Sequence, residues 1–424
     1  MVKVAFVGLG AMGLRMANRL AQADEVELSG YDVDPARVQA LPDGVRRASS
    51  IADAVAGADA IFSVVPADVH VRAVLDELVP AVAEGQTYVD FSTIGPATIA
   101  AAEERLAAVG ARTISAGMTK SIEGATNGTL SLFIGGVDEV PAKLTPAFDA
   151  IATELMPVGN VGAAKAMKLV NNMVVASLDC AITEALALAA QHGVPFESVT
   201  DALAGEGAES WPLQHHIVAH VLPDDLGPGF FSTRLLIKDM RLYTDFAAGL
   251  GMPAAFAGLA TSFYRGTSAI GLAEDYHMIV VRWFERGANL GGREPTPLPA
   301  GADDFLRRLS AGVAAVQVLL SAEALRVLGR MGIAATDAAH FLEHGSAGND
   351  SLREMVRLAA EGREGVTART LVEDLGAVLD LAHAANFPAT LFETARHLAL
   401  EQVDRYGEEA DLWHAAVGEP VAGS

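Results

Sequence analysis

The chain holds 424 residues, 51% of them apolar and only 20% charged, enough to fill several buried cores and too apolar for a disordered chain. Its 53 acidic against 30 basic residues leave a formal charge of −23, which argues against nucleic acid and anionic membranes as partners; an anionic ligand needs a local cation. The one cysteine, Cys180, forms no internal disulfide, suits a reducing cytoplasm and reads as a small buried helix residue.

From the N-terminus, Val2 to Val7 is an apolar, β-branched run that stops at Gly8 and leads into a helical pattern, a strand and turn rather than a signal peptide. A second run, Val26 to Tyr31, ends at Asp32. Further strands are predicted at residues 58–65, 86–91, 111–114 and 130–134, with helices at 69–78 and 96–109 among them. Strands alternating with helices predict a mostly parallel, doubly wound sheet over residues 1–160. After Gly162 the pattern is helical. No apolar run reads as a membrane span, the longest being broken by Asn171, Asn172, Asp179 and Glu184.

Between the first strand and its helix lies Gly8-Leu9-Gly10-Ala11-Met12-Gly13, a G-x-G-x-x-G. In that setting Gly8 permits the tight turn, Gly10 lets the backbone approach a pyrophosphate, and Gly13 allows close helix packing. The helix N-terminus offers free N–H groups to the phosphates. Asp32, closing the second strand, suits a ribose diol and repels a 2′-phosphate, which favours NAD and leaves NADP open. The fold class is therefore α/β: a Rossmann-type sheet followed by an all-α domain.

The stretch from Phe6 to Leu20 resembles the N-terminal signature of the 3-hydroxyisobutyrate dehydrogenase (β-hydroxyacid dehydrogenase) family. Val65-Pro66 resembles the family's Leu-Pro beside the nicotinamide, and Asp90-Phe91-Ser92-Thr93-Ile94-Gly95-Pro96 its D-x-S-T-I-x-P loop. Lys168-Leu169-Val170-Asn171-Asn172 matches K-x-x-N-N, and Lys238-Asp239 a family Lys-Asp pair. The resemblance covers residues 1–290. It implies hydride transfer between a hydroxyl carbon and the nicotinamide, with Lys168 exchanging a proton with the substrate oxygen. Val65, Pro66, Thr93 and Lys238 are implied to line the cofactor. Lys168 and Asn172, at i and i+4, share one helical face, and a lysine beside a nicotinamide cation is expected to have a lowered pKa. Lys165 reads as a solvated surface lysine.

The family's substrate-carboxylate loop reads D-A-P-V-S-G-G and then G-A-x-x-G-T-L. Here the second half is intact from Gly124 to Leu130, whereas the first is Ser115-Ala116-Gly117-Met118-Thr119-Lys120-Ser121. Thr119 keeps a hydroxyl, and Lys120 replaces a glycine. Thr119, Lys120 and Ser121 are the expected substrate-binding residues, with Lys120 supplying the cation that an acidic or doubly anionic hydroxy or oxo acid needs.

The helical half reads twice. Glu184-Ala185-Leu186 with Gly193-Val194 aligns on Glu323-Ala324-Leu325 with Gly332-Ile333 at an offset of 139. Lys238-Asp239-Met240 aligns on Glu373-Asp374-Leu375, and Met252-Pro253 on Phe387-Pro388, both at 135. The expected domains are 1–160, 161–288, a linker at 289–303, and a second copy at 304–424. In that copy Lys168 becomes Arg307, Asn172 becomes Ala311 and Lys238 becomes Glu373, so its catalytic residues are lost. By the resemblance it imitates a partner subunit's helices, with a homodimer left open, and could bring Arg307, Arg308 or Arg369 to the substrate site. His216 and His220, like His340 and His344, have i, i+4 spacing without a carboxylate or third histidine in register. Surface or capping roles, and no metal, are expected. Trp211 either lines a pocket or packs between helices.

Three alternatives stand beside the hydroxyacid reading. A 6-phosphogluconate dehydrogenase carries histidine where this chain has Asn171, imine reductases lack the lysine kept at 168, and a silent cofactor-binding scaffold has no need of it.

Overall fold

Residues 1–290 and 298–413 are described by the structure, a computed structural model that divides into two compact units, Met1–Leu169 and Val170–Ser424. Gly291-Gly292-Arg293-Glu294-Pro295, the glycine- and proline-rich part of the expected linker, lies outside the described residues.

The first unit is built on eight strands: β1 Val2–Val7, β2 Val26–Tyr31, β3 Arg46–Arg47, β4 Ala60–Ser63, β5 Thr87–Asp90, β6 Arg112–Thr119, β7 Leu130–Gly135 and β8 Ala152–Pro157. Their order is β3-β2-β1-β4-β5-β6-β7-β8. All neighbours run parallel except β6 and β7. Side chains alternate across the sheet, so Val4 and Phe6 enter one core while Ala5 and Val7 enter the other. Burial of both faces explains the continuous apolar runs that mark β1 and β4. The strand order reverses between β1 and β4, the crevice where such sheets bind ligands.

Two strands escape the sequence pattern because neither is an apolar run. β3 is two exposed arginines, and β8, with Thr153 exposed, lies at the sheet edge. A third runs longer than expected. Residues 115–119 continue β6 and pair with β7 from Ser115↔Gly135 to Thr119↔Ser131, so Thr119 ends a strand instead of lying in a loop.

The second unit is helical and repeats element by element. Helices Ala302–Arg330, Ala335–His344, Ala368–Ala384 and Thr390–Tyr406 match Val161–Gln191 (which begins in the first unit), Phe196–Gly205, Thr233–Gly249 and Ala255–Ala269 at the offsets seen in the sequence. Asp350–Ala360 answers a stretch that contains a π-helix, Leu213–Val221. Irregular details repeat too. The bridge Ser232↔Tyr276 recurs as Thr367↔Asp411, and the bond from Thr233 N to Asp275 O recurs from Ala368 N to Ala410 O. The copies also meet reciprocally: Ser210 bridges Asn349, its own counterpart. Trp211 N donates to Gly348 O and Asp350 N to Glu209 O, both at 2.9 Å. Residue i touches j as j touches i, the pattern of a two-fold interface within one chain.

Contrary to the expectation that no segment is apolar enough to cross a membrane, Val161–Gln191 and Ala302–Arg330 are both long and apolar enough. However, 94% and 83% of their most apolar windows are buried inside the fold, as for central core helices. The polar groups within the first helix have partners: Asp179 meets two histidines, and Glu184 accepts bonds from Leu391 N and Phe392 N.

Candidate active site

The turn after β1 shows why each glycine of the fingerprint is there. Gly8 takes φ +93°, and a Cβ on it would lie 2.1 Å from Val64 O. A Cβ on Gly13 would lie 1.9 Å from Gly8 O. Gly10 differs, since its nearest neighbour would be Arg37 Nη1 at 3.7 Å, so the fold itself leaves room for a side chain there. The helix Ala11–Leu20 begins at Gly10 without a side-chain cap and with no acidic residue in its first turn, leaving its N–H groups for a phosphate. Leu9 is buried, and Ala11 and Met12 face outward to different degrees. Asp32 is buried and accepts from Leu9 N at 2.7 Å and Asp34 N at 2.9 Å, with Arg37 3.6 Å away. It is not the cap of the next helix; Asp34 is.

At the ends of β4 and β5 a buried network sets the loops. Asp90 accepts from Tyr88 Oη, Ser92 N and Ser92 Oγ. The Ser92 hydroxyl in turn accepts from Val65 N at 2.9 Å, fixing the backbone that leads to the exposed Pro66. Burial and the Asp90 charge push the Tyr88 hydroxyl well above its ordinary range. Thr93 follows, half-buried. Lys165 corrects the sequence expectation: it is 1% exposed, and its Nζ sits 2.9 Å from Asp90 Oδ1 and 2.8 Å from Asp90 O. Helical periodicity places residue 165 on an inward face, but only a partner 75 positions away makes a lysine there tolerable.

Lys168, one turn on, is half-buried and packs under β6. A Cβ on Gly117 would lie 3.0 Å from Lys168 Cβ and 2.8 Å from Ala164 O, so the strand leading to Thr119 can pass this close only with glycine there. Gly117 was legible as a residue of the carboxylate stretch but not as the one that seats it. Thr119 is buried and its hydroxyl donates to Ser131 O at 3.3 Å. Lys120 and Ser121 have φ of +68° and +51°. That left-handed backbone explains a glycine at 120 in the family pattern, and a lysine held there is strained.

In the second unit, Asn172 Nδ2 donates to Asp239 Oδ2 at 2.7 Å, and Asp239 Oδ1 meets Lys238 Nζ at 2.9 Å. The Lys-Asp pair thus belongs with Asn172, a link that sequence spacing could not reveal. Asn171 is fixed from the second copy: its Nδ2 donates to Ser346 Oγ at 2.8 Å and its Oδ1 accepts from Ala347 N at 3.1 Å.

The histidine expectation is corrected for His216. It is buried, with Nδ1 2.9 and 3.1 Å from the two Asp179 oxygens, and His277 Nε2 lies 3.2 Å from Asp179 Oδ2. The missing carboxylate and third histidine are remote in sequence, which is why spacing did not find them. His340 and His344 are exposed. Trp211 stacks on His215 at 4.2 Å and lies edge-on to His216. Arg307 and Arg308 pair with Asp304, and Arg369 with Glu408 and Glu409, so acids of the second copy engage all three arginines.

Comparisons with known proteins align with this geometry. A family profile described as the NAD binding domain of 6-phosphogluconate dehydrogenase matches residues 3–162. Another, described as the NAD-binding region of NADP-dependent 3-hydroxyisobutyrate dehydrogenase, matches twice, over residues 162–284 and 309–417. An NAD-dependent L-serine dehydrogenase of Pseudomonas aeruginosa is 30% identical over 298 residues, 67% of this chain and 98% of that protein. A 2-(hydroxymethyl)glutarate dehydrogenase of Eubacterium barkeri is 26% identical, covering 69% and 98%. The solved Mycobacterium tuberculosis 3-hydroxyisobutyrate dehydrogenase with L-serine superposes with a TM-score of 0.62 at 27% identity, over 66% of this chain and 98% of that one.

Proposed function

The chain belongs to the 3-hydroxyisobutyrate dehydrogenase family, and from that premise we propose that it oxidises or forms a small 3-hydroxy or 2-hydroxy acid with NAD, using Lys168 as general acid/base. The observation that carries this reading is the close packing of β6 on Lys168 through Gly117, which sets the lysine beside the strand leading to Thr119, Lys120 and Ser121. The uncapped helix at Gly10 and the room above it fit a dinucleotide's pyrophosphate, and Asp32 suits a ribose diol. The nicotinamide accepts or returns the hydride. Lys168 takes the proton from the alcohol, or gives one to the forming alkoxide. Asn172, fixed by Asp239, orients the lysine or the substrate hydroxyl.

Relatives named for L-serine and for 2-(hydroxymethyl)glutarate act on acids of one and two carboxylates. We read Lys120, kept in a strained backbone at the position of a family glycine, as the cation for a second anionic group. The second copy, packed reciprocally on the first, stands in for a partner subunit's helices, and the chain is read as a soluble cytoplasmic enzyme.

The test is absorbance of reduced nicotinamide with NAD, then NADP, across mono- and dianionic hydroxy acids. Turnover should favour NAD and fall about 10²–10⁴-fold in Lys168→Ala. Cofactor binding without turnover on any acid points instead to an imine reductase or a silent scaffold. Lys120→Gly should raise KM for the dianionic acid about tenfold and leave monoanionic acids unchanged. An unchanged KM throughout removes Lys120 from the substrate site.

A further inference from the structure

Asp179, His216 and His277 come from three separate elements of the first copy: the helix Val161–Gln191, the π-helix Leu213–Val221 and the turn His277–Val280. All three side chains are buried, and one ligand atom from each lies within 4.8 Å of the others. Their counterparts in the second copy, at the offsets that align the two, are Val318, Met355 and Leu412, each buried and apolar. The scaffold therefore packs well without a polar group here. A carboxylate and two imidazoles in one copy alone are a costly departure that packing does not explain. Asp179 lies seven residues beyond Asn172, two turns along the same helical face.

The hydrogen bonds define what sits among these groups. His277 Nδ1 lies 3.2 Å from Phe231 O, which can only accept, so Nδ1 carries the proton. Nε2 then turns a lone pair toward Asp179 Oδ2 at 3.2 Å, a repulsive contact unless a cation lies between. His216 Nδ1 faces the same carboxylate at 2.9 and 3.1 Å, and the two histidine rings lie 4.9 Å apart. A ring whose second nitrogen is held by a backbone carbonyl is the usual support of a metal-bound histidine. A tetrahedral ion about 2.0–2.1 Å from N and O ligands spaces them ~3.3 Å apart, close to the histidine–aspartate contacts of 2.9–3.2 Å.

We propose that Asp179, His216 and His277 form a site for one divalent transition-metal ion of the zinc type, with a fourth position left for an oxygen ligand. The site is independent of the dehydrogenase reading. It ties three elements together on the face that carries Asn172.

The experiment uses tag-free, full-length protein stripped with chelator, its fold checked by circular dichroism and then titrated with cobalt(II). One equivalent should produce the visible absorption of a four-coordinate site, and zinc should displace it and raise the melting temperature. His277→Gln should lose the band. The triple variant Asp179→Val, His216→Met, His277→Leu copies the packing of the second copy; it should fold, bind nothing and gain no stability from zinc. Stripped, folded wild-type protein that takes up neither ion overturns the proposal, as does equal uptake by the folded triple variant. In either case the cation between the groups is a proton, and the cluster is an imidazolium–carboxylate network.

Discussion

In the first helical copy the long helix carries Lys168 and Asn172; in the second the same positions hold Arg307 and Ala311. Around Ala311 the second copy forms a half-open pocket of about 430 Å³, lined also by Val318, Leu371, Asp374 and, from the first copy, Gly207. The counterparts of these residues are Asn172, Asp179, Leu236, Asp239 and Ser346. At these equivalent positions the first copy carries Asn172, Asp179 and Asp239 where the second carries Ala311, Val318 and Asp374, so one scaffold presents different side chains in its two halves. Arginine stays protonated at any accessible pH, so on the proposed reading, with Lys168 as general acid/base, Arg307 could not take over that role.

The contrast is sharpest one turn before Lys168. Lys165 is buried on Asp90, whereas its counterpart Asp304 is exposed and pairs with Arg307 and Arg308. Lys165→Met should strand the Asp90 carboxylate and cost about 3–5 kcal/mol, read as a lower urea midpoint. Asp304→Ala should leave the midpoint where it is. Equal effects of the two substitutions would break the distinction between a buried and a screened pair.

A smaller effect probes what both copies keep. Glu184 and Glu323 are counterparts and both are buried. Burial pushes Glu184 up to about 8, against the bonds it accepts from Leu391 N and Phe392 N, and pushes Glu323 up to about 7, against the Tyr243 hydroxyl. Each holds its proton in the folded chain over a range where the unfolded chain, at about 4.5, has lost it. Their stabilising contribution is therefore complete below that value and lost as pH rises through 7 and 8. Wild-type stability should decline from pH 5 to 8.5. Glu184→Gln and Glu323→Gln should each flatten the decline, by about 1–3 kcal/mol, with Glu184 the larger. Variant profiles parallel to wild type would show that these carboxyls ionise freely in the fold.

The partners of these two glutamates also show where the two-fold pattern gives way. Glu184 reaches the start of helix Thr390–Tyr406 in the second copy, and symmetry would send Glu323 to the start of Ala255–Ala269. It takes the Tyr243 hydroxyl instead. Two copies inside one chain can diverge on each side of their interface, which identical subunits cannot do.

The order of strands and helices, the glycine fingerprint and the doubled helical half were legible because each is a local or periodic signal. A Cβ clash of Gly13 with Gly8 O or an alternation in β1 is settled by near neighbours, and a repeat is a comparison of the chain with itself. What the tertiary structure decided concerns polar groups in apolar company. Lys165 is inside because Asp90 waits 75 residues earlier, Asn172 is held by Asp239 67 residues later, and His277 meets Asp179 across 98. A charged or polar side chain is tolerated in a core only when a partner removes its desolvation cost, and no periodicity along the chain announces where that partner will be.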